Sequence, residues 1–380
     1  TAIGAPARTH LVVQRPELVR RYGAYEWMDP GEPRVLAHSL RVMLDVVRRY
    51  DVDGIHIDDY FYPYPELGRD SQPVPFPDSA SYARYRARGG TLARDDWRRH
   101  NVDTLIHALY TRTKALKPWV KVGISPFGIW RPGTPAQIRG FDAYDKLYAD
   151  ARRWWREGWV DYLTPQLYWP IAQVPQAYAV LLRWWAGENV MTRHLWTGHS
   201  ASRAASTAWR EGELGAQIDS SRAIGATGAV HFSMKALMPR VAGVDTGAQR
   251  GRVVRAVGDS LRARVYVEPA LIPPSPWLAR GAAPRVPRTC IAVDAASEDQ
   301  VLHLAAGGGA PVRWWGVRVK RDGAWSHQVL PGAQHRLVLA ARGASPPARV
   351  LVTAVDRYGQ ESRAAEHRAG PARRCAPGPR

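Results

Sequence analysis

The sequence predicts an α/β fold, the later part of a (β/α)8 TIM-type barrel lacking its first three βα units, followed by a small C-terminal β-sandwich. Three observations predict it. Short apolar runs ending in polar side chains alternate with segments of helical periodicity between Pro30 and Arg262, the order expected of right-handed βαβ units around a parallel sheet. Five such runs can be counted, where a whole barrel of about 250 residues has eight strands. After a Pro- and Ala-rich stretch, short alternating runs separated by Gly-rich turns read as a β-sandwich. The expected boundaries are residues 1–265 for the partial barrel, 266–288 for a semi-rigid linker and 289–380 for the sandwich. A five-stranded open sheet is the alternative, although the glycine signatures of dinucleotide and P-loop sheets are absent.

Residues 1–30 show little periodicity and read as a loop. A helix is expected from Asp29-Pro30-Gly31-Glu32, with Leu36, Leu40, Met43, Leu44, Val47 and Tyr50 at helical spacing, leading into a strand over Asp53 to Asp58. Phe61 to Gly90 shows no element of its own, and a connection of that length is usually functional or disordered. Helices near Asp95 to Leu116, Phe141 to Glu157, Val174 to Trp185 and Glu211 to Ile224 then alternate with four further strands. Those strands are Val120 to Ile124, Val160 to Trp169, Met191 to Thr197 and Gly228 to Met234. A last helix is expected over Gln249 to Arg262. Trp314 and Trp315, in the first long run beyond the linker, read as core of the sandwich.

The chemistry concentrates at the strand ends. Ile55 and Ile57 share one face of the first strand, so His56 and Asp58 share the other. A polar inward face at the C-terminal end of a strand has a ready place in the mouth of a barrel, where βα loops build active sites. Asp58 and Asp59 then lead into an aromatic, Pro-rich loop that begins at Tyr60. Reading the other strand ends adds Ser125, Phe127, Trp130 and Arg131, then Gln166, Tyr168 and Trp169, then His199 and His231. Aromatic faces stack on sugar rings while Gln, His and Arg bond hydroxyl and carboxyl groups, so this set describes a glycan groove.

Glycoside hydrolysis needs two carboxyl groups, roughly 5–9.5 Å apart. Adjacent residues on a strand diverge, so parity gives Asp58 the inward position, with a twist at the strand end as the route by which Asp59 would take it. Asp150, in Leu147-Tyr148-Ala149-Asp150, is the candidate partner, although its mid-helix spacing is also that of a solvated acid. His56, His199 and His231 lie on different strands without HxH or HExxH spacing, so no metal and no cofactor is expected. Ser125 lacks the G-x-S-x-G elbow and precedes a proline, which argues against a serine nucleophile.

The net charge of +19 and pI near 10.3 favour anionic partners. The arginines are dispersed without a block of five or more, which is equally the mark of composition and solubility. A nucleic-acid partner would need a continuous basic face and is not expected. No apolar run reaches 18 residues, and a chain that begins at Thr1 is expected either to have lost a signal segment or to be a piece of a longer one. Cys290 and Cys375 are a candidate disulfide across the C-terminal domain, with two free thiols as the alternative.

Four segments, in this order, resemble a known family: Tyr50 to Pro63 with its Asp58-Asp59 pair, Gly123-Ile124-Ser125-Pro126-Phe127-Gly128-Ile129-Trp130-Arg131, Leu147-Tyr148-Ala149-Asp150 and Asp161 to Trp169. They resemble the bacterial glycosyl hydrolase-like family ten over roughly Glu17 to Arg262, and the tail resembles the fibronectin type III-like module that some members carry. The resemblance implies a TIM-barrel glycosidase exported to the periplasm or outer membrane, often as a lipoprotein whose anchor would lie outside this sequence. The best-understood branch degrades denuded peptidoglycan, glycan strands stripped of peptides. By position, Asp58, Asp59, Arg131, Asp150, Gln166 and Tyr168 fall in the family motifs. The chain departs from the pattern in lacking the first three strands, including an Asn-Pro-Tyr-Arg segment expected upstream of Thr1. Denuded strands carry a lactyl carboxylate on every second sugar, and Arg131 is the expected contact for it.

Overall fold

The computed structural model describes residues 6–206, 209–238 and 257–368, and the chain divides into two compact units, Thr1–Ser260 and Leu261–Arg380. The first unit opens with a short helix α1 (Leu11–Gln14) and a hairpin of β1 (Val19–Tyr22) and β2 (Tyr25–Met28), paired antiparallel from Val19↔Met28 to Tyr22↔Tyr25. From sequence alone this stretch reads as loop. Strands of four residues are too short to display alternation, and the turn depends on Gly23 at φ +56°, where a side chain is disfavoured.

Helix α2 (Pro33–Arg49) starts with a proline in its first turn, where the missing N–H costs nothing. Its Leu40 and Leu44 pack with Leu109 and Val122, which lie on a helix and a strand later in the chain. Strand β3 (Gly54–Ile57) follows at once. The connection beyond it holds helix α3 (Ser79–Ala87), which the sequence reading missed. Its residues carry almost no apolar periodicity, and it is held by polar anchors: Ser81 Oγ donates to Asp29 Oδ2 at 2.7 Å, and the buried Arg98–Asp78 pair lies at its start.

Next come α4 (Arg94–Leu116), β4 (Lys121–Ile124), α5 (Ala143–Lys146), α6 (Ala151–Arg156) and β5 (Tyr162–Leu163). Then follow α7 (Tyr178–Gly187), β6 (His194–His199), α8 (Ala201–Ala204), α9 (Glu213–Ile224), β7 (Gly228–His231) and α10 (Val257–Arg264). The single helix expected over Phe141 to Glu157 is two short ones, broken where Tyr148 takes φ +54°. Strands β3, β4, β5, β6 and β7 pair in that order, all parallel, as a half-barrel sheet. Trp154, Trp155, Tyr178, Leu181, Trp185 and Ile106 fill the space between this sheet and its helices.

β3 and β7 are the sheet's outer strands. Along β3 an apolar groove of about 560 Å³ is lined by Trp27, Met28, Leu36, Met43 and Ile57. Of the candidate site residues its lining includes Asp58 and Tyr60, so the groove meets the end of β3 where the candidate site begins.

The second unit is a two-sheet antiparallel sandwich. Its strands are β8 (Arg288–Val293), β9 (Gln300–Ala305), β10 (Trp314–Arg321), β11 (Ala324–Pro331), β12 (Arg336–Ala340), β13 (Arg349–Val355) and β14 (Ala365–Arg368). They form the sheets β11-β10-β13-β14 and β12-β9-β8. Trp315, Val317, Val350, Val352, Leu302 and Leu304 form its core, and Trp314, one residue out of phase, is only half-buried. Cys290 stands on β8, and its candidate partner Cys375 lies outside the described residues.

Candidate active site

The parallel pairing of β3, β4 and β5 sets the site. Isolated bridges Phe127↔Gln166 and Gln166↔Gly198 carry the ladder past the short β5, so Gln166 stands beside the ends of β4 and β6. Gly128 makes this close approach workable: a Cβ there would lie 2.3 Å from the Gln166 carbonyl oxygen. Gln166 Nε2 then donates to the Ser125 carbonyl at 2.9 Å and to Asp58 Oδ1 at 3.1 Å, spanning three strands.

The two neighbouring aspartates end in different surroundings. Asp58 opens to the concave side, as alternation along β3 requires, whereas Asp59 is 3% exposed and accepts a 2.5 Å hydrogen bond from the Tyr64 hydroxyl. Desolvation raises the Asp58 pKa above the ordinary carboxylate value, the Asp59 charge raises it further, and the Gln166 amide opposes both. Around the pair stand Tyr60, 63% exposed and edge-on to Tyr64, and Tyr168, whose hydroxyl is pushed up by desolvation and then by the charges of Asp58 and Asp59. Tyr64 continues through Phe141 and Phe127 to Trp169, ring centroids 5.2–5.6 Å apart, as one aromatic wall.

Below the pair the concave face is floored with rings. His56 lies 5.6 Å from and nearly parallel to Tyr162, with Nδ1 3.1 Å from its hydroxyl, and Tyr162 stacks at 4.2 Å on Trp196. Burial pushes the His56 pKa down, which favours the neutral ring. Ser125 is buried and donates to the Thr164 carbonyl, so its hydroxyl serves the sheet.

Several candidates lie away from this cleft. His199 is fully buried between Thr197 Oγ1 at 2.7 Å and Gln217 Oε1 at 3.2 Å, under Tyr178 of α7, with its pKa lowered to about 3 by desolvation. His231 packs against it with ring centroids 5.4 Å apart. Both histidines face the helices; on β6 and β7 it is Trp196, Val230 and then Phe232 that have the concave parity.

Asp150 is the N-cap of α6, where its carboxylate accepts the Arg153 N–H and the Trp130 indole N–H at 3.1 Å. Its spacing reads as mid-helix only because the break at Tyr148 is invisible to periodicity. Trp130 stacks on Trp184 of α7. Arg131 is ion-paired to Asp145 at 3.2 Å and Asp142 at 3.7 Å, with its guanidinium over Tyr144, so its charge is already matched.

Sequence reasoning missed Tyr64, Phe141, Arg203 and Phe232. Phe232 was reachable by parity from Gly228 and Val230, and Tyr64 lay in the aromatic loop already singled out. Arg203 had no signal of its own: it follows β6 on the four-residue helix α8. Among the described residues no group of three or more His, Cys, Asp or Glu could hold a metal ion.

A protonated carboxyl open to a groove of tyrosine, phenylalanine and tryptophan can donate a proton to an oxygen of a ring stacked there. Residues 5–211 match the family model described as Glycosyl hydrolase-like 10, more than half of the chain. The chain belongs to this family. Glycosyl hydrolase YngK of Bacillus subtilis (strain 168) is 38% identical over 298 residues, covering 74% of this chain and 53% of that protein. Glycosyl hydrolase DigH of Escherichia coli (strain K12) is 39% identical over 186 residues, 48% of this chain and 40% of its own. The chain thus spans about half the length of the curated relatives it matches. Bee venom hyaluronidase overlays 53% of this chain and 71% of its own at a TM-score of 0.32 and 15% identity, a likeness too loose to bear on fold or chemistry.

Proposed function

We propose that the protein is a glycoside hydrolase in which Asp58 protonates the leaving glycosidic oxygen, and that its substrate is the peptide-free glycan strand of peptidoglycan. The observation that carries the reading is Asp58 itself: an exposed carboxyl whose pKa is raised by desolvation and by a buried neighbour, at the C-terminal edge of a parallel sheet, beside an aromatic wall. Membership of a glycosyl hydrolase-like family, and two relatives named as glycosyl hydrolases, support it. In this reading the five-stranded sheet is the later part of a (β/α)8 barrel, the sandwich is a fibronectin type III-like module, and the enzyme works in the cell envelope without a cofactor. Asp59, oriented by Tyr64, keeps the proton on Asp58, and the rings from Tyr64 to Trp169 take the sugars.

The pH profile of strand cleavage tests the assignment. General-acid catalysis is worth about 10²–10⁴-fold, so Asp58→Asn should lower kcat/KM by that order. The wild-type rate should fall as pH rises through a pKa above the ordinary carboxylate value. A profile with no such limb, or an Asp58→Asn variant of near wild-type rate, would remove Asp58 from the role.

A second reading, a glycan-binding protein without catalysis, is favoured by one observation. Among the described residues Asp59 is the only carboxylate whose charge acts on Asp58, and it is a sequence neighbour, not a group across the cleft. Strands retained by the protein with no new reducing ends after long incubation would select it.

A further inference from the structure

We infer that Arg203 binds the carboxylate of an acidic sugar seated on the stacked rings of Tyr168 and Phe232, and so sets the preference for charged over neutral glycans. This deepens the glycan reading above and rests on it. The rings lie with centroids 6.1 Å apart and 26° between their planes, and Phe232 is 56% exposed, an open apolar face of the kind on which sugars stack.

Arg203 is built into the same frame. Its Nη1 donates to the Tyr168 carbonyl at 2.7 Å, which fixes the guanidinium beside that ring. The segment after β7 is tied to α8 by Ser202 N–H to the Phe232 carbonyl at 3.0 Å and by Ser233 N–H to Ser202 Oγ at 3.2 Å. Cation and platform therefore do not move independently.

Arg203 lacks an acid, whereas several other arginines at this edge of the sheet have one. Arg94 and Arg98 pair with Asp78, Arg99 with Asp96, Arg131 with Asp145 and Arg153 with Asp103. Arg203 is exposed and, among the described residues, neither forms an ion pair nor places Nε or Nη2 on an acceptor. Those two donors form the edge of the guanidinium fork that matches a carboxylate in a two-point contact. The Tyr168 hydroxyl feels Asp58 and Asp59 as well as Arg203, so a sugar held on this platform lies within the field of the proposed acid.

The test compares peptide-free glycan strands bearing free lactyl carboxylates with the same strands after reduction of the carboxyl to an alcohol. Wild type should favour the charged strands. Arg203→Gln should lose about tenfold in kcat/KM on them, through KM, while changing less than about twofold on the reduced strands; Arg203→Lys should recover part of the loss. Equal losses on both substrates, or a wild type indifferent to the carboxyl, would overturn the inference. The comparison is repeated as dissociation constants in an Asp58→Asn background, which separates the two claims. Charge discrimination that depends on Arg203 without any cleavage by wild type would sink the hydrolase reading and leave this one standing. Binding insensitive to Arg203 would sink this one whatever the catalytic result.

Discussion

Taking water away from a carboxyl, and setting a second charge next to it, both make the proton harder to remove. Asp58 has both conditions, and its folded-state pKa stands above the unfolded value near 3.8. In the window between those values the folded state holds a proton that the unfolded chain has released, so the contribution of Asp58 to stability is lost as pH rises through it. Asp58→Asn is therefore expected to raise Tm near neutral pH, with the gain shrinking below about pH 4, as measured by thermal unfolding across pH. A variant less stable than wild type at neutral pH would contradict the shift. Gln166 acts in the opposite sense, because its amide favours the ionised form of Asp58. Gln166→Leu should move the alkaline limb of the activity profile to higher pH, whereas a purely structural role would lower the rate without moving the limb. Alternation along β3 made Asp58 and His56 legible in the sequence. The same reasoning fails at His199 and His231, because a polar side chain at a strand end need not face the cleft: Gln217 of α9 hydrogen-bonds His199, and His231 packs on the His199 ring.

Short elements decide the rest of the site, and they are what periodicity reads worst. The break at Tyr148 turns Asp150 from a mid-helix acid into the cap of α6, which also fastens Trp130. Replacing an N-cap aspartate with alanine costs about 0.5–2 kcal/mol, whereas asparagine caps nearly as well. Asp150→Ala should lower the urea midpoint by a corresponding amount, and Asp150→Asn should retain both stability and strand cleavage. An Asp150→Asn protein that is stable but inactive would return Asp150 to the catalytic list. The approach of the β4 loop to β5 is a second such feature. Gly128→Ala would force its Cβ against the Gln166 carbonyl and so disturb the bridge from Gln166 to Asp58. Apolar spacing makes α2 and α7 directly readable, α4 and α9 show little of it and are recognised by their length between strands, and β1, β2 and α3 offer neither signal.

At the scale of the molecule the order of elements announced the parallel sheet and the sandwich, since alternating strands and helices leave few other arrangements. The charge of +19 could not be placed from sequence. Many of the arginines at the C-terminal edge of the parallel sheet turn out to be paired with acids, which leaves the long-range field and a local cation such as Arg203 as separable contributions. Raising salt well above physiological strength should weaken affinity for charged strands while leaving carboxyl-reduced strands nearly unaffected, because the screening length shortens from about 8 Å at physiological strength to about 3 Å at 1 M. Titration of both strands at two salt concentrations checks this, and equal salt sensitivity would deny the electrostatic account.

A carboxyl at the end of β3 is proposed to cleave glycan strands. Mass spectrometry of purified, peptide-free peptidoglycan strands incubated with the protein, beside its Asp58→Asn and Asp59→Asn variants, tests it most directly. Short oligosaccharides are expected from the wild type, none from Asp58→Asn, and a reduced yield from Asp59→Asn, which alters the electrostatics without removing the donor. Intact strands from the wild type, or undiminished products from Asp58→Asn, would contradict it.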